Sequence, residues 1–292
     1  MLLIINSFIL SFSVCIRMIV PFFVIGIASM VVWTVLNIPT FGFAGLVSGP
    51  ITATFISLFG IRVALAIKGD TRRYELRVLI LNATRYGLFI FVLNSILIWI
   101  GTLATALYAS WQVGEGLSFW TVKEATESAQ IAFTFLWVGS NAIVVTLALA
   151  AIGAAMAVPL ASGAREASHR APSARFFYGV WQSFLPLLCV FIVTSFVQIF
   201  FQLYSFLFAV IPILVSVFSL IVSQTLPDFE LDFILKGVAA TVGLIWLNAW
   251  AWSASALALL KFDSDPAAQP DSTPSADAPT SADIRALRKS RE

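Results

Sequence analysis

The groups able to do chemistry in this 292-residue chain are fifteen aspartates and glutamates, seventeen lysines and arginines, one histidine and two cysteines. No acid falls inside any of the long apolar runs that make up most of the sequence. Carboxylates retained within a membrane span mark proton relays, ion sites and intramembrane catalysis, because burying them is costly. Their absence argues against all of these. His169 stands between Ser168 and Arg170 in a basic segment, where a solvated imidazole is expected rather than a catalytic base. Cys15 and Cys189 lie in apolar runs without a second ligand nearby, so neither a disulfide framework nor a metal site is indicated. No Walker-type phosphate loop, HExxH or GxSxG occurs. The glycines between 42 and 49 open an apolar run instead of following a strand, against a dinucleotide reading. The expectation is a non-enzymatic chain without a cofactor.

Composition sets the elements that must carry these residues. Hydrophobic residues make up 60% and charged ones 11%, with mean hydropathy +0.95, whereas a soluble domain is about 45–50% apolar and about 25% charged. An all-α, polytopic transmembrane helix bundle satisfies both numbers. A spanning helix needs about 20 mostly apolar residues, and such runs cover 18–36, 43–67, 78–109, 131–160, 176–226 and 236–260. The fifth run fits one kinked helix with an interfacial piece, broken near Pro212, or two helices turning near 202–205. The map therefore has six spans, with seven as the alternative.

Charge orients the map, since basic residues near span ends favour the cytoplasmic side. Lys68, Arg72, Arg73 and Arg77 crowd one connection, and Arg165, Arg170 and Arg175 another. Residues 111–130 instead carry Lys123 against Glu115, Glu124 and Glu127, and 227–233 carry Asp228, Glu230 and Asp232. Six spans place both basic connections and both termini on the cytoplasmic side of a bacterial inner membrane. Seven would export the tail with Lys261, so six satisfy more of the chain. Residues 1–16 are apolar and Arg17 follows them, the reverse of a secretory signal. A retained amphipathic or membrane-embedded N-terminus is expected.

Arg17, Arg62 and Arg85 need their own account, because an arginine at a helix centre costs about 2.5–3.5 kcal/mol on insertion scales. All three fall towards the cytoplasmic interface, from which long side chains reach the headgroups. With Lys68, Arg72 and Arg73 they make the expected contact set for anionic membrane lipid. A sharper alternative has Arg17, Arg62 and Arg85 converging on one buried anion such as a lipid phosphate. Small residues mark the second helix of each pair. Gly45 with Gly49, and Gly153 with Ala157, have the four-residue spacing that lets helix backbones approach closely in lipid. Packing within one monomer is expected of them, with a dimer face as the alternative and the oligomeric state left open. The bulky stretches 78–100 and 176–208 suit lipid, so small-residue helices belong at the centre and bulky ones at the rim. Asn37, Asn94, Asn141, Asn248, Gln198 and Gln202 read as interhelical glue, worth about 0.6 kcal/mol each.

The chain also reads as three related units. Residues 13–23 and 178–188 share a semi-polar turn, an apolar pair, a proline and a membrane run, and 82–87 carries Gly87 where the others have Pro21 and Pro186. Lys68 and Arg73 repeat the spacing of Arg165 and Arg170. Each unit would be an interfacial lead-in, an outgoing helix and a returning one. Gly49-Pro50 entering a helix, then Arg62 and the Lys68-Gly69-Asp70 exit, resembles bacterial inner-membrane proteins of the YciC-like type. It is also similar to the membrane domain attached to some glycerophosphodiester phosphodiesterases. That resemblance implies a six-helix membrane fold and no assigned chemistry. Beyond Lys261 the sequence turns to Pro, Ala, Ser and Asp, which cannot bury enough apolar area to order itself. Residues 262–292 are thus expected as a flexible tail whose end docks on a protein partner or on headgroups. A net charge of +2 points away from nucleic acid. Two function classes remain. One is a membrane component that binds lipid or scaffolds a complex, favoured by the uncharged interior and basic inner rim. The other is a passive or partner-driven transporter or channel subunit for a small solute or lipid.

Overall fold

The computed structural model describes residues 1–70, 75–114, 126–165, 180–222 and 231–264. Helices form throughout them: α1 (Leu2–Asn37), α2 (Phe43–Ile67), α3 (Leu76–Val113), α4 (Glu127–Arg165) and α5 (Val180–Ser205), then a π-helical turn (Phe206–Val210), α6 (Ile211–Val222) and α7 (Leu231–Ser264). All but α6 are long and apolar enough to cross a membrane, which makes six candidate spans. Ile16, Ile27, Leu107, Trp111 and Phe135 are among many large apolar side chains left exposed on them. Patches of that extent are rare on soluble monomers, and lipid is the solvent that suits them. The chain is a multi-pass helical membrane protein.

The long fifth run stays helical as far as Val222, with a π turn between the two positions expected for its break. Pro212 has no N–H for the carbonyl four residues earlier, and its ring crowds that carbonyl. The wide π turn lies immediately before it and absorbs the mismatch. Beyond it, α6 continues the helix and, among the described residues, meets no other helix. The expected interfacial lead-in of the first unit is corrected: residues 1–16 are the first half of one continuous α1, and the half that is buried, through Ser7, Leu10, Ser11, Val14 and Cys15. Serine makes this burial tolerable. The Ser7 and Ser11 hydroxyls donate to the Ile4 and Phe8 carbonyls at 2.8 and 2.6 Å, and Trp250 Nε1 of α7 donates to Ser7 Oγ at 3.0 Å.

Helices α2, α4 and α7 touch one another pairwise and form the centre. Around them α1 packs mainly on α2 and α7, α3 on α2 and α4, and α5 on α4 and α7. Each outgoing helix therefore sits between the returning helix of its own hairpin and that of a neighbouring hairpin, in a cyclic order of three. This is the division into centre and rim that the small and bulky residues imply. Ala154, Ala157, Ala161, Ala254 and Ala258 are fully buried, and such side chains let central backbones come close in lipid.

The principal core gathers at one end, where α2, α4 and α7 terminate. It holds Leu58, Ile61 and Leu65 of α2, Ala154 to Ala164 of α4 and Ile245 to Leu259 of α7, with Val14 and Met18 of α1. Glycines on the central helices seat rings from their neighbours: Gly60 under Trp252, Gly153 under Phe191, Gly163 under Tyr86 and Gly243 under Phe201. At Gly87, which replaces the proline of the other units, a Cβ would come within 3.0 Å of the Ile51 Cα. Here α3 closes on α2. Gly153 thus receives a ring and Ala157 is fully buried, whereas Gly49 is open. Gly49 lies eleven residues before Gly60, about three turns and on nearly the same face, yet no atom stands within 4 Å of a Cβ built there. Gly45 meets only Asn37 of its own hairpin, at 3.4 Å. At that level α7 has parted from α2.

Gly60→Ala must displace the Trp252 indole and should cost about 1–3 kcal/mol, the usual range for overpacking. Gly49→Ala should be neutral or stabilising by up to about 1 kcal/mol, from helix propensity alone. Urea or thermal unfolding in detergent measures both; equal effects would contradict the packing described.

Candidate functional site

The site begins at the end of α2. Gly69 has φ +92, a left-handed conformation that suits glycine. Its N–H donates to the Ala66 carbonyl at 3.1 Å, and the Asp70 N–H donates to the Leu65 carbonyl at 3.0 Å. These two bonds make a Schellman stop, which turns the chain back along the helix. Asp70 is thereby set against Arg62. Arg62 Nη1 donates to Asp70 Oδ1 at 3.3 Å, and Nη2 to the Asp70 backbone carbonyl at 3.3 Å. Both side chains are buried, 5% and 6% exposed.

Two further helix ends join them. Arg165, in the last turn of α4, brings Nε to 2.8 Å from Asp70 Oδ2. That distance is an ion pair, although the two atoms are not aligned as a hydrogen bond. The other side of its guanidinium donates through Nη1 to Asp263 Oδ2, in the last turn of α7. A carboxylate at a helix C-terminus is disfavoured by the helix dipole, and Arg165 offsets this. Exposure rises outward from 6% at Asp70 to 19% at Arg165 and 39% at Asp263. The result is a charge-neutral clasp of two guanidinium and two carboxylate groups across the ends of α2, α4 and α7. Each acid already has an arginine, so the chemistry available is cohesion of three helix ends. Among the described residues, no three His, Cys, Asp or Glu side chains come together.

Two sequence expectations change here. Arg62 leaves the lipid-contact set, because its guanidinium is buried on Asp70 instead of reaching the headgroups. Asp263 belongs to the bundle and not to the tail, since α7 runs on to Ser264. Arg17, Lys68, Arg77 and Arg85 are exposed. Arg17 and Arg85 sit on α1 and α3, which do not touch, so the structure does not gather Arg17, Arg62 and Arg85 on one anion. Arg72, Arg73, Arg170, Arg175 and His169 lie outside the described residues.

Trp250 Nε1 of α7 donating to Ser7 Oγ of α1 joins two hairpins. Within the second hairpin Asn82 Nδ2 donates to the Gly163 carbonyl at 3.0 Å. Towards the end away from the clasp, Trp33 Nε1 donates to Thr52 Oγ1 at 2.9 Å, Thr102 Oγ1 to Asn141 Oδ1 at 3.3 Å, and the Ser205 and Thr241 hydroxyls lie 3.3 Å apart. Each of these open-end bonds stays within one hairpin. Asn141 is glue between helices as expected, whereas Asn248 donates to the Leu244 carbonyl of its own helix. Asn37 Oδ1 and Asn94 Oδ1 are buried without a hydrogen bond.

Asp70→Ala removes the carboxylate between Arg62 and Arg165 and should cost about 3–5 kcal/mol, as for a broken buried pair. Asp263→Ala, at the exposed rim, should cost about 1 kcal/mol or less. Unfolding midpoints in detergent test the ranking, and its reversal would remove Arg62–Asp70 as the inner anchor. No protein-family model, curated protein or solved structure matches this chain.

Proposed function

We propose that this is a non-enzymatic membrane component that engages anionic lipid at its clasped end and holds or assists a partner there. The observation that carries this reading is the contrast at that end. The charges of the clasp pair with one another, while Arg17, Lys68, Arg77 and Arg85 on the first three helices and their connection are exposed and form no ion pair among the described residues. Exposed cations near an anionic leaflet contribute about 1 kcal/mol each. The same end carries the basic connections, so we place it, with both termini, on the cytoplasmic side of a bacterial inner membrane. The tail after Ser264, with Arg285, Arg288 and Lys289, extends this basic side towards a protein partner or headgroups. A second reading, a passive or partner-driven transporter subunit, has the parted helices at the opposite end in its favour.

Native mass spectrometry of protein extracted with bound lipid tests the lipid assignment. Arg17→Gln/Lys68→Gln/Arg85→Gln should retain anionic lipid at least tenfold less, with neutral lipid unchanged; equal retention of anionic lipid would refute it. For orientation, a fluorescent-protein fusion after Lys261 should glow and a phosphatase fusion there should be inactive. An active phosphatase would reverse the map.

A further inference from the structure

We propose that the Arg62–Asp70–Arg165–Asp263 clasp is the closed gate of a two-state bundle, and that its release lets the three hairpins part at this end while they close at the other. This goes beyond the lipid reading and does not depend on it. The first support is the asymmetry of packing along single helix faces. Ala157 of α4 is buried in the centre, and Gly139, eighteen residues before it and about five turns away, faces nothing within 4 Å. Gly153 receives Phe191 of α5, while Phe135, equally far from it along the same face, is 81% exposed. The α4 face made by Gln130, Ile131, Thr134, Phe135, Val138 and Gly139 is open at this level. In α2, Gly60 seats Trp252, but Gly49 and Ala53 on nearly the same face are exposed. Ile234 and Val238, the counterparts on α7, are exposed as well. The central helices are thus in contact at the clasped end, while these faces of α2, α4 and α7 are open at the other, where α3 still touches α2 at Ile51.

The second support is the chemistry of closure. Apolar residues of similar volume often hold a protein interior together as well as a buried ion network does, or better. Charged closure differs in being reversible, because separated charges can be hydrated. Arg165 and Asp263 stand at the rim, where water and ions can reach them. The third support is the helices themselves. Pro21, Pro50, Pro159 and Pro186 lie inside α1, α2, α4 and α5, and the π turn follows α5. Proline and π turns are the usual sites of helix bending. All three hairpins therefore carry a bend point, and each keeps its own internal bonds at the open end, so each can move as a unit. Rigid-body motion about a packed interface is an established form of two-state change.

Spin-label distance measurements in lipid nanodiscs test the gate, in a Cys15→Ala/Cys189→Ala background. One pair, Ala66→Cys/Lys261→Cys, reports the clasped ends of α2 and α7. The other, Phe41→Cys/Leu231→Cys, reports their open ends. All four positions are exposed. In Asp70→Asn and Asp263→Asn the clasped-end pair should gain a population longer by about 5 Å or more, roughly one helical turn, and the open-end pair a shorter one. Unchanged distributions would overturn the proposal. So would widening at both ends, which is loosening and not a switch. Asp263→Asn, at the half-exposed rim, decides the matter if the buried Asp70→Asn variant does not fold.

Discussion

Helices in lipid gain little by hiding apolar surface from one another, so their association rests on close contact and paired polarity. In this bundle the constraint that organises the rest is the guanidinium of Arg62. Buried among apolar helices, it must meet an opposite charge, because an isolated ion in a low-dielectric interior is far more costly than a paired one. Gly69 makes the meeting possible by reversing the chain in a single residue. Asp70 then has a second oxygen to offer, which draws Arg165 from α4, and Arg165 in turn reaches Asp263 of α7. One buried cation thereby fixes where three helices end.

The centre follows from that convergence. With their ends held together, α2, α4 and α7 can stay in contact only if their facing side chains are small, and the alanines of α4 and α7 meet this requirement. Rings from the rim helices fill the remaining grooves: Phe191 and Phe201 of α5 and Tyr86 of α3 each lie over a glycine of a central helix. Away from the clasp nothing plays the same part. Polar bonds at the far end tie α1 to α2, α3 to α4 and α5 to α7, each within one hairpin.

Much of this was legible in the residues. Span number and the division into centre and rim follow from run length and side-chain size, which act locally. What was hidden depends on pairing across the fold. Arg62 lies near a helix end, where snorkelling is the ordinary fate, and only Gly69 read as a helix stop would point to Asp70 as its partner. Asp263 follows an abrupt change of composition and so resembles tail, although its role is set by Arg165, distant in sequence. Asn82 sits in a lead-in whose turn-like character disguised a buried contact with Gly163. Gly49 and Gly60 show the same limit from the other side: both are small residues on one helix, and only the neighbour's course decides which is packed.

The placement of the four charges also bears on how the hairpins find their register. Three helix pairs of similar size and apolar surface could slide along a shared axis, and apolar contacts between alanines discriminate weakly between registers. The clasp draws Arg62 and Asp70 from the first hairpin, Arg165 from the second and Asp263 from the third. Arg165 can satisfy both acids only when α2, α4 and α7 end at one level. Asp263 would be left unpaired if the third hairpin slipped along the axis. Buried polar groups are best attested as devices that fix register, and here part of the contact that sets it lies at the rim where it can be released. Specificity of assembly and reversibility of closure are therefore two consequences of putting charge, rather than leucine, at the point where the central helices end.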